Sequence, residues 1–502
     1  MLWVGLAAAM LGLVATGVFL AGLWRVPSPR LWWPSLLAAF GAWLLALAAF
    51  PRTASSWLWP HWQSEGVWQL NPFNWPLVVT AATLPLVALL LDASRPRRSA
   101  QEGRGWAAVL WLAGGGVLAV LAFSPAAFAA SWAFLDVAIA AADLARFQRS
   151  KHNSAVIWVA FVRAGSWVLA MTAAAAAAHP GAWLNPETLM AAAVALRLAV
   201  AVAQPAVAAS DLPPWRLTWA AENALATLAA AVWLAQREVT LPTAAAFWGV
   251  ALLSLWAVNR WARAQARLRR VWAAAAALGG LALLAALRGS PEGALAWGLL
   301  AVYPAVGMAL APHRGVVFWP FFVLLALPLT LWPVSPAAAA VALWQPPYAW
   351  WMVFPGLTVV IAWVAVARSG IDLPPPERPV GREARSFSLV GLLLWVLVFW
   401  GWRLWPPLAA PAVSPLLAWG GGVLTLAVAA PWFRAVRRGY LQAAQAEALL
   451  AAWRTRWVSA AFWWTYRALR RGLAFFSLLL EGEGGVMWAL VLLVMLAVLL
   501  HR

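Results

Sequence analysis

The sequence predicts an all-α fold, a polytopic transmembrane helix bundle of about 14 to 16 spans. Three observations carry that expectation. The chain has 502 residues, 65% of them hydrophobic and only 10% charged. Apolar runs near ~20 residues recur along it, the length needed to cross about 30 Å of hydrocarbon. The more polar stretches, near 368–385 and 434–471, are each shorter than about 40 residues and leave no room for a soluble domain of ordinary size.

In order, the expected spans are roughly 2–23, 32–50, 73–92, 105–123, 126–144, 154–177, 188–208 and 217–236. The second half adds roughly 243–259, 271–287, 293–311, 316–333, 350–367, 386–405, 415–433 and 485–500. The opening run MLWVGLAAAMLGLVATGVFLAGLW has no charged n-region and no small-residue cleavage site, so it reads as the first span rather than a removable signal. Some spans look discontinuous. Gly114 to Gly116 interrupt the fourth, Pro304 sits within the eleventh, and Pro328, Pro333 and Pro336 surround the end of the twelfth.

Charge supplies an independent test of this drawing. Basic residues outnumber acidic ones 35 to 16. The excess lies in short alternate loops, which points to membrane topology and not to nucleic acid. Arg95, Arg97, Arg98 and Arg104 share a side with Arg146, Arg149 and Lys151. Arg260, Arg263, Arg267, Arg269 and Arg270 fall on that side too. The implied setting is the inner (cytoplasmic) membrane, with the N-terminus outside and the basic loops cytoplasmic. The 41 tryptophans suggest interfacial anchors. Residues 443–476 interleave arginine with tryptophan and leucine, as in a basic amphipathic helix lying along the cytoplasmic interface.

One span stands apart. AAFAASWAFLDVAIAAADL, residues 126–144, carries Asp136 at its middle and Asp143 about two turns later. A carboxylate at that depth costs several kcal/mol unless it faces a cavity or a partner. Arg163 in VAFVRAGSW and Arg197 in AAVALRLAV are the candidate partners at similar depth. Asp136 either ties helices together or takes part in ion movement, and the residues alone leave both open.

Soluble-enzyme chemistry has little support. Cysteine is absent, which excludes disulfides, thiolate metal sites and cysteine nucleophiles. There is no Walker loop, no strand-turn-helix GxGxxG and no HExxH. His61, His152, His179, His313 and His501 are too scattered for a metal cluster. Glu481 and Glu483 stand where acidic side chains favour a helix start. No catalytic residue, metal ligand or cofactor is therefore assigned.

The order of the pieces resembles a family. FSPAAFAASWAFLDVAIAAADLARFQRS followed by SAVIWVAFVRAGSWVLAMTAAAAAAHPG is similar to the fifth and sixth helices of antiporter-like membrane subunits. That family is shared by respiratory complex I (NADH:quinone oxidoreductase), membrane-bound hydrogenases and Mrp cation/proton antiporters. The likeness continues through ENALATLAAAVWLAQRE, QARLRRVWAAAAALGG, GALAWGLLAVYPAVGMALAP, FFVLLALPLTLWPVSPAAAA and the closing LEGEGGVMWAL. It implies two inverted five-helix repeats with broken helices, and a chain of buried ionisable groups that relays protons or exchanges cations such as sodium. It divides the chain into a two-span region 1–72, bundle halves 73–236 and 237–385, and C-terminal spans with the amphipathic helix, 386–502. Its partners would be the lipid bilayer and other membrane subunits of a redox-linked or antiporter complex, with the redox cofactors held by those partners. Within such a translocase this chain would not be catalytic on its own.

Carried over position by position, the resemblance places Asp136 where the family has its fifth-helix glutamate. The seventh-helix lysine has no in-register match, Arg197 lying a turn or more away. The eighth-helix histidine and lysine fall on Asn223 and Ala229, with Glu222 adjacent. The expected ion pathway is thus Asp136, Asp143, Arg163, Arg197, Glu222 and Asn223. Arginine stays charged, whereas a desolvated lysine can be tuned to pass a proton, so the relay is expected to be largely lost. Two other readings remain, a polytopic lipid-linked glycosyltransferase or polymerase and a free-standing secondary transporter. Short outer loops nearly free of charge argue against the first.

Overall fold

The computed structural model describes residues 1–24, 28–51, 55–57, 68–93, 101–146, 153–179, 185–203, 214–237, 244–264, 266–311, 318–326, 353–371, 382–402 and 467. The chain divides into two compact units, Met1–Arg434 and Ala435–Arg502. In the second, Arg467 is the one described residue, and it is exposed. The elements that follow belong to the first.

Fourteen helices are present among the described residues. They are α1 (Leu2–Leu23), α2 (Ser28–Ala48), α3 (Trp75–Asp92), α4 (Gln101–Leu121), α5 (Pro125–Arg146), α6 (Asn153–Ala178) and α7 (Pro186–Ala203). Then come α8 (Pro214–Ala235), α9 (Ala244–Arg263), α10 (Arg267–Leu287), α11 (Pro291–Leu310), α12 (Phe318–Ala326), α13 (Val353–Ile371) and α14 (Arg382–Gly401). A small antiparallel ribbon, β1 (Ser55–Trp57) with β2 (Trp68–Leu70), lies between α2 and α3. Seven of the helices, α1, α2, α3, α6, α8, α10 and α11, are long and apolar enough to cross a membrane. The chain is a multi-pass membrane protein.

Several helices begin on a proline, where the missing N–H falls among donors that have no intrahelical partner anyway. This holds for Pro125, Pro186, Pro214 and Pro291. The link between α10 and α11 is the tightest. Gly289, at φ 69°, takes the left-handed conformation that a side chain would strain. Its N–H donates to Ala286 O at 2.9 Å and the Ser290 N–H donates to Ala285 O at 3.1 Å, which closes α10 in a Schellman motif. Ser290 then serves α11 at once, its Oγ accepting the Gly293 N–H at 3.1 Å.

The core is built on α3, α8, α10 and α11, which are buried along almost their whole length. Around them α1, α2, α6 and α14 turn large apolar side chains outward, among them Leu13, Leu37, Val168 and Leu397. In lipid such a surface needs no further cover. Tryptophan does more than anchor at an interface, since Trp32, Trp132 and Trp395 are fully buried. Their indole N–H groups donate to helix carbonyls: Trp32 to Leu89 O at 3.1 Å, Trp132 to Ala226 O at 3.2 Å, Trp395 to Tyr303 O at 3.0 Å. A helical carbonyl keeps a second lone pair after its own ladder bond, so such staples add a contact without breaking a turn.

The interruption expected in the fourth span is not there. α4 runs unbroken through Gly114, Gly115 and Gly116, and these glycines instead let α1, α5 and α8 approach closely. α11 likewise continues through Pro304. The group Pro328, Pro333 and Pro336, the spans at 415–433 and 485–500, the amphipathic stretch 443–476 apart from Arg467, and the pair Glu481 and Glu483 lie outside the described residues. So do His61, His152, His313 and His501, while His179 is exposed at the end of α6.

Candidate functional site

Four helices meet at Asp136. α5 carries it 2% exposed. α6 supplies Arg163 with Ser166 and Trp167, spaced three and four residues apart so that they share a face. α7 supplies Arg197, and α8 supplies Asn223 with Thr227 one turn on.

The carboxylate is saturated. Asp136 Oδ1 accepts from Asn223 Nδ2 at 2.7 Å, Arg197 Nη2 at 3.2 Å and Arg163 Nη1 at 3.4 Å. Its Oδ2 accepts from Arg197 Nη1 at 2.6 Å and Trp167 Nε1 at 2.9 Å. A carboxylate offers about four lone-pair sites, so five donors on two oxygens leave none idle. Charge-assisted bonds of this kind are about twice as strong as neutral ones.

Arg197 is held as firmly as its partner. Its Nη2 also donates to Asn223 Oδ1 at 2.8 Å, its Nη1 to Ser166 Oγ at 3.2 Å and its Nε to Thr227 Oγ1 at 3.2 Å. The guanidinium carbon sits 4.5 Å from the Trp132 ring centroid, and that of Arg163 sits 4.6 Å from the Trp272 ring centroid on α10. Cation–π contact of this kind stabilises a desolvated guanidinium. The Ser166 and Thr227 hydroxyls in turn donate hydrogen bonds to Arg163 O at 2.6 Å and Asn223 O at 2.9 Å. The result, among the described residues, is a buried network in which two guanidinium groups surround one carboxylate.

Of the expected pathway residues, the structure brings together Asp136, Arg163, Arg197 and Asn223. Glu222 follows the next face of α8, 2% exposed, with its carboxyl lying over Gly116 of α4. A methyl group on Gly116 would overlap Glu222 Oε2. Neither carboxyl oxygen of Glu222 has a hydrogen-bond partner among the described residues. Asp143 stands on α5 about two turns beyond Asp136, and its side chain lies outside the described residues. Sequence reasoning missed Trp132, Ser166, Trp167, Thr227 and Trp272. Four of these lie three or four residues from a named member on the same helix, a spacing open to inspection; Trp272 left no such signal. Among the described residues no group of three or more His, Asp or Glu is arranged to hold a metal ion.

Fold and site together define a polytopic α-helical membrane protein with a buried ion-pair network. Its fold is shared with chains of multi-subunit membrane complexes of known structure. A chain of the Mrp complex from Dietzia sp. DQ12-45-1b superposes with a TM-score of 0.59 at 14% identity, over 99% of this chain and 62% of that one. This chain therefore spans less than two thirds of that relative's length. A chain of respiratory complex I from Thermus thermophilus gives 0.59 at 14% identity, over 84% of this chain and 99% of that one. A chain of the membrane-bound sulfane sulfur reductase, an archaeal respiratory membrane complex, gives 0.56 at 11% identity, over 97% and 99%. No protein-family profile and no curated protein sequence matches the chain.

Proposed function

We propose that this chain is an antiporter-like subunit of a larger membrane assembly of the complex I, hydrogenase or Mrp kind, in which it supports proton or sodium translocation by its neighbours and has lost most of its own relay. The observation that carries this is the saturated Asp136. A relay group must release and regain its proton, and a carboxylate that accepts from five donor nitrogens, three of them on two guanidinium groups, is tied to its ionised form. Arginine does not deprotonate in proteins, so Arg163 and Arg197 carry nothing onward. Ala229, at the eighth-helix position where the family has lysine, is apolar and buried. The reading includes the two inverted repeats, a cytoplasmic side marked by the basic loops, and neighbouring subunits against the outward apolar faces.

Purification in mild detergent tests it in two ways. The chain is expected to co-migrate with other membrane proteins of one complex. Reconstituted alone, it is expected to give no proton or sodium flux above that of empty liposomes. Flux through the isolated chain that Asp136→Asn abolishes would overturn the proposal.

A further inference from the structure

The turn that joins α9 to α10 gathers cations from three helices. Arg260 and Arg263 close α9, Arg267, Arg269 and Arg270 open α10, and Arg368 stands in the last turn of α13. Two of them are fixed on the turn itself. Arg368 Nη1 donates to Ala262 O at 2.8 Å and Arg270 Nε donates to Ala264 O at 2.8 Å, so both are tethered to the backbone on either side of Arg263. No Asp or Glu stands between Glu238 and Glu292, and α13 carries none. Membrane topology accounts for arginines bathed in water at a helix end. It does not account for Arg263, which is half-buried and whose Nε is shut off from solvent without a hydrogen-bond partner among the described residues.

The same face of α9 continues toward the bilayer. Asn259, Trp256 and Leu252 precede Arg263 by four, seven and eleven residues, which keeps each within about 40° of it around the helix. Asn259 Oδ1 is also buried without a hydrogen-bond partner among the described residues. Trp256 lies beside the Arg260 guanidinium, whose carbon is 5.9 Å from a ring centroid of the indole, and an indole at such a level is typical of a membrane surface. Leu252 is 57% exposed, and on the adjoining α13 Leu357, eleven residues before Arg368, is 39% exposed. Eleven residues cover about 16 Å of helix axis, close to one leaflet of a hydrocarbon core about 30 Å thick. Arginine therefore stands at one end of an outward apolar track, and α9, α10 and α13 supply no anion for it.

We infer that this corner binds one anionic phospholipid, with its phosphate on Arg263 between Arg270 and Arg368 and its acyl chains along Leu252 and Leu357. A guanidinium fork matches phosphate geometry and is more weakly hydrated than an ammonium, which suits it to a half-buried position. A zwitterionic lipid brings an ammonium group that the cluster repels, so a headgroup of net negative charge is preferred. An acidic protein segment would match the charge but not an apolar track of one leaflet's depth. The inference goes beyond the supporting role proposed above and is independent of it, since neither Asp136 nor ion flux enters.

Native mass spectrometry of the purified chain provides the test, after delipidation and titration with phosphatidylglycerol or with phosphatidylcholine of the same acyl chains, each with and without inorganic phosphate. The chain is expected to retain one phosphatidylglycerol, to hold phosphatidylcholine more weakly, and to keep the bound lipid when inorganic phosphate is added. Arg263→Gln is expected to weaken retention roughly fivefold, while Arg288→Gln, at the far end of α10, leaves it unchanged. Equal retention of the two lipids, displacement by inorganic phosphate, or undiminished retention in Arg263→Gln would each overturn the inference. Benzoylphenylalanine in place of Leu252, photo-activated in intact membranes, gives the answer even where Arg263→Gln fails to fold. Its adducts are expected to be enriched in anionic phospholipid over the membrane's own composition; adducts without that enrichment, or on a protein chain, would overturn the lipid site.

Discussion

Arg197 grips both oxygens of Asp136, through Nη1 at 2.6 Å and Nη2 at 3.2 Å, while Arg163 reaches one of them at 3.4 Å. The two arginines are therefore unequal partners. Arg197 also satisfies Ser166, Asn223 and Thr227, so its loss strands groups on three helices at once.

Arg197→Met is expected to destabilise the folded chain by about 3–5 kcal/mol, the usual penalty for breaking a buried pair by removing one partner. Arg163→Met should cost less, roughly 1–3 kcal/mol, because its bond to Asp136 is long and a second guanidinium remains on the carboxylate. Thermal unfolding in detergent, followed for both variants, measures the order. Equal midpoints would show that the asymmetry in the geometry has no energetic counterpart.

Arg197→Lys keeps the charge and loses the fork. A single ammonium cannot reach both oxygens of Asp136 together with Asn223 and Thr227, so at least ~1–3 kcal/mol should be lost. Arg163→Lys, which has one long bond to Asp136 to reproduce and keeps a cation near Trp272, should cost less than that in the same unfolding experiment.

Tyr303 offers a test away from the charged network. Its hydroxyl accepts the Trp402 indole N–H at 3.0 Å and lies 3.3 Å from Thr80 Oγ1, so it ties α14 to α11 and α3. Tyr303→Phe strands a buried donor and should cost about 1–3 kcal/mol. Adding Trp402→Phe removes that stranded donor, and a double-mutant cycle should show the two changes to be less than additive.

At the α10–α11 link, Gly289→Ala must hold a side chain at positive φ and should cost about 1 kcal/mol. Ser290→Ala, which deletes the cap on Gly293, should cost a similar ~1 kcal/mol. Melting temperatures of the two single variants check both values.

Much of this was legible in the sequence because lipid restricts what a chain can do. The span expected at 126–144 is the helix Pro125–Arg146, and that expected at 271–287 is Arg267–Leu287, since an apolar run in a bilayer has helix as its one open-chain solution. Asp136 announced its partners because a lone charge in such a run needs an opposite one nearby, and two arginines stood at its depth. Gly114 to Gly116 misled, because a glycine chosen for close approach reads the same as one that breaks a helix. The neutral members of the network were hidden for a related reason. Ser166, Thr227 and the indoles of Trp132 and Trp167 sit at little penalty in an apolar span, so nothing in their identity says which neighbour they touch. The resting place of Glu222 depends on a missing side chain on another helix, more than a hundred positions away.

The join at Gly289 and Ser290 bears on how the protein is made. Two helices whose ends are closed by a single shared turn leave no slack for one to lodge in the bilayer while the other waits outside. α10 and α11 should enter the bilayer as one hairpin, with Arg267, Arg269 and Arg270 held back at its open end, and lengthening that turn would be felt during insertion before it was felt in the finished molecule.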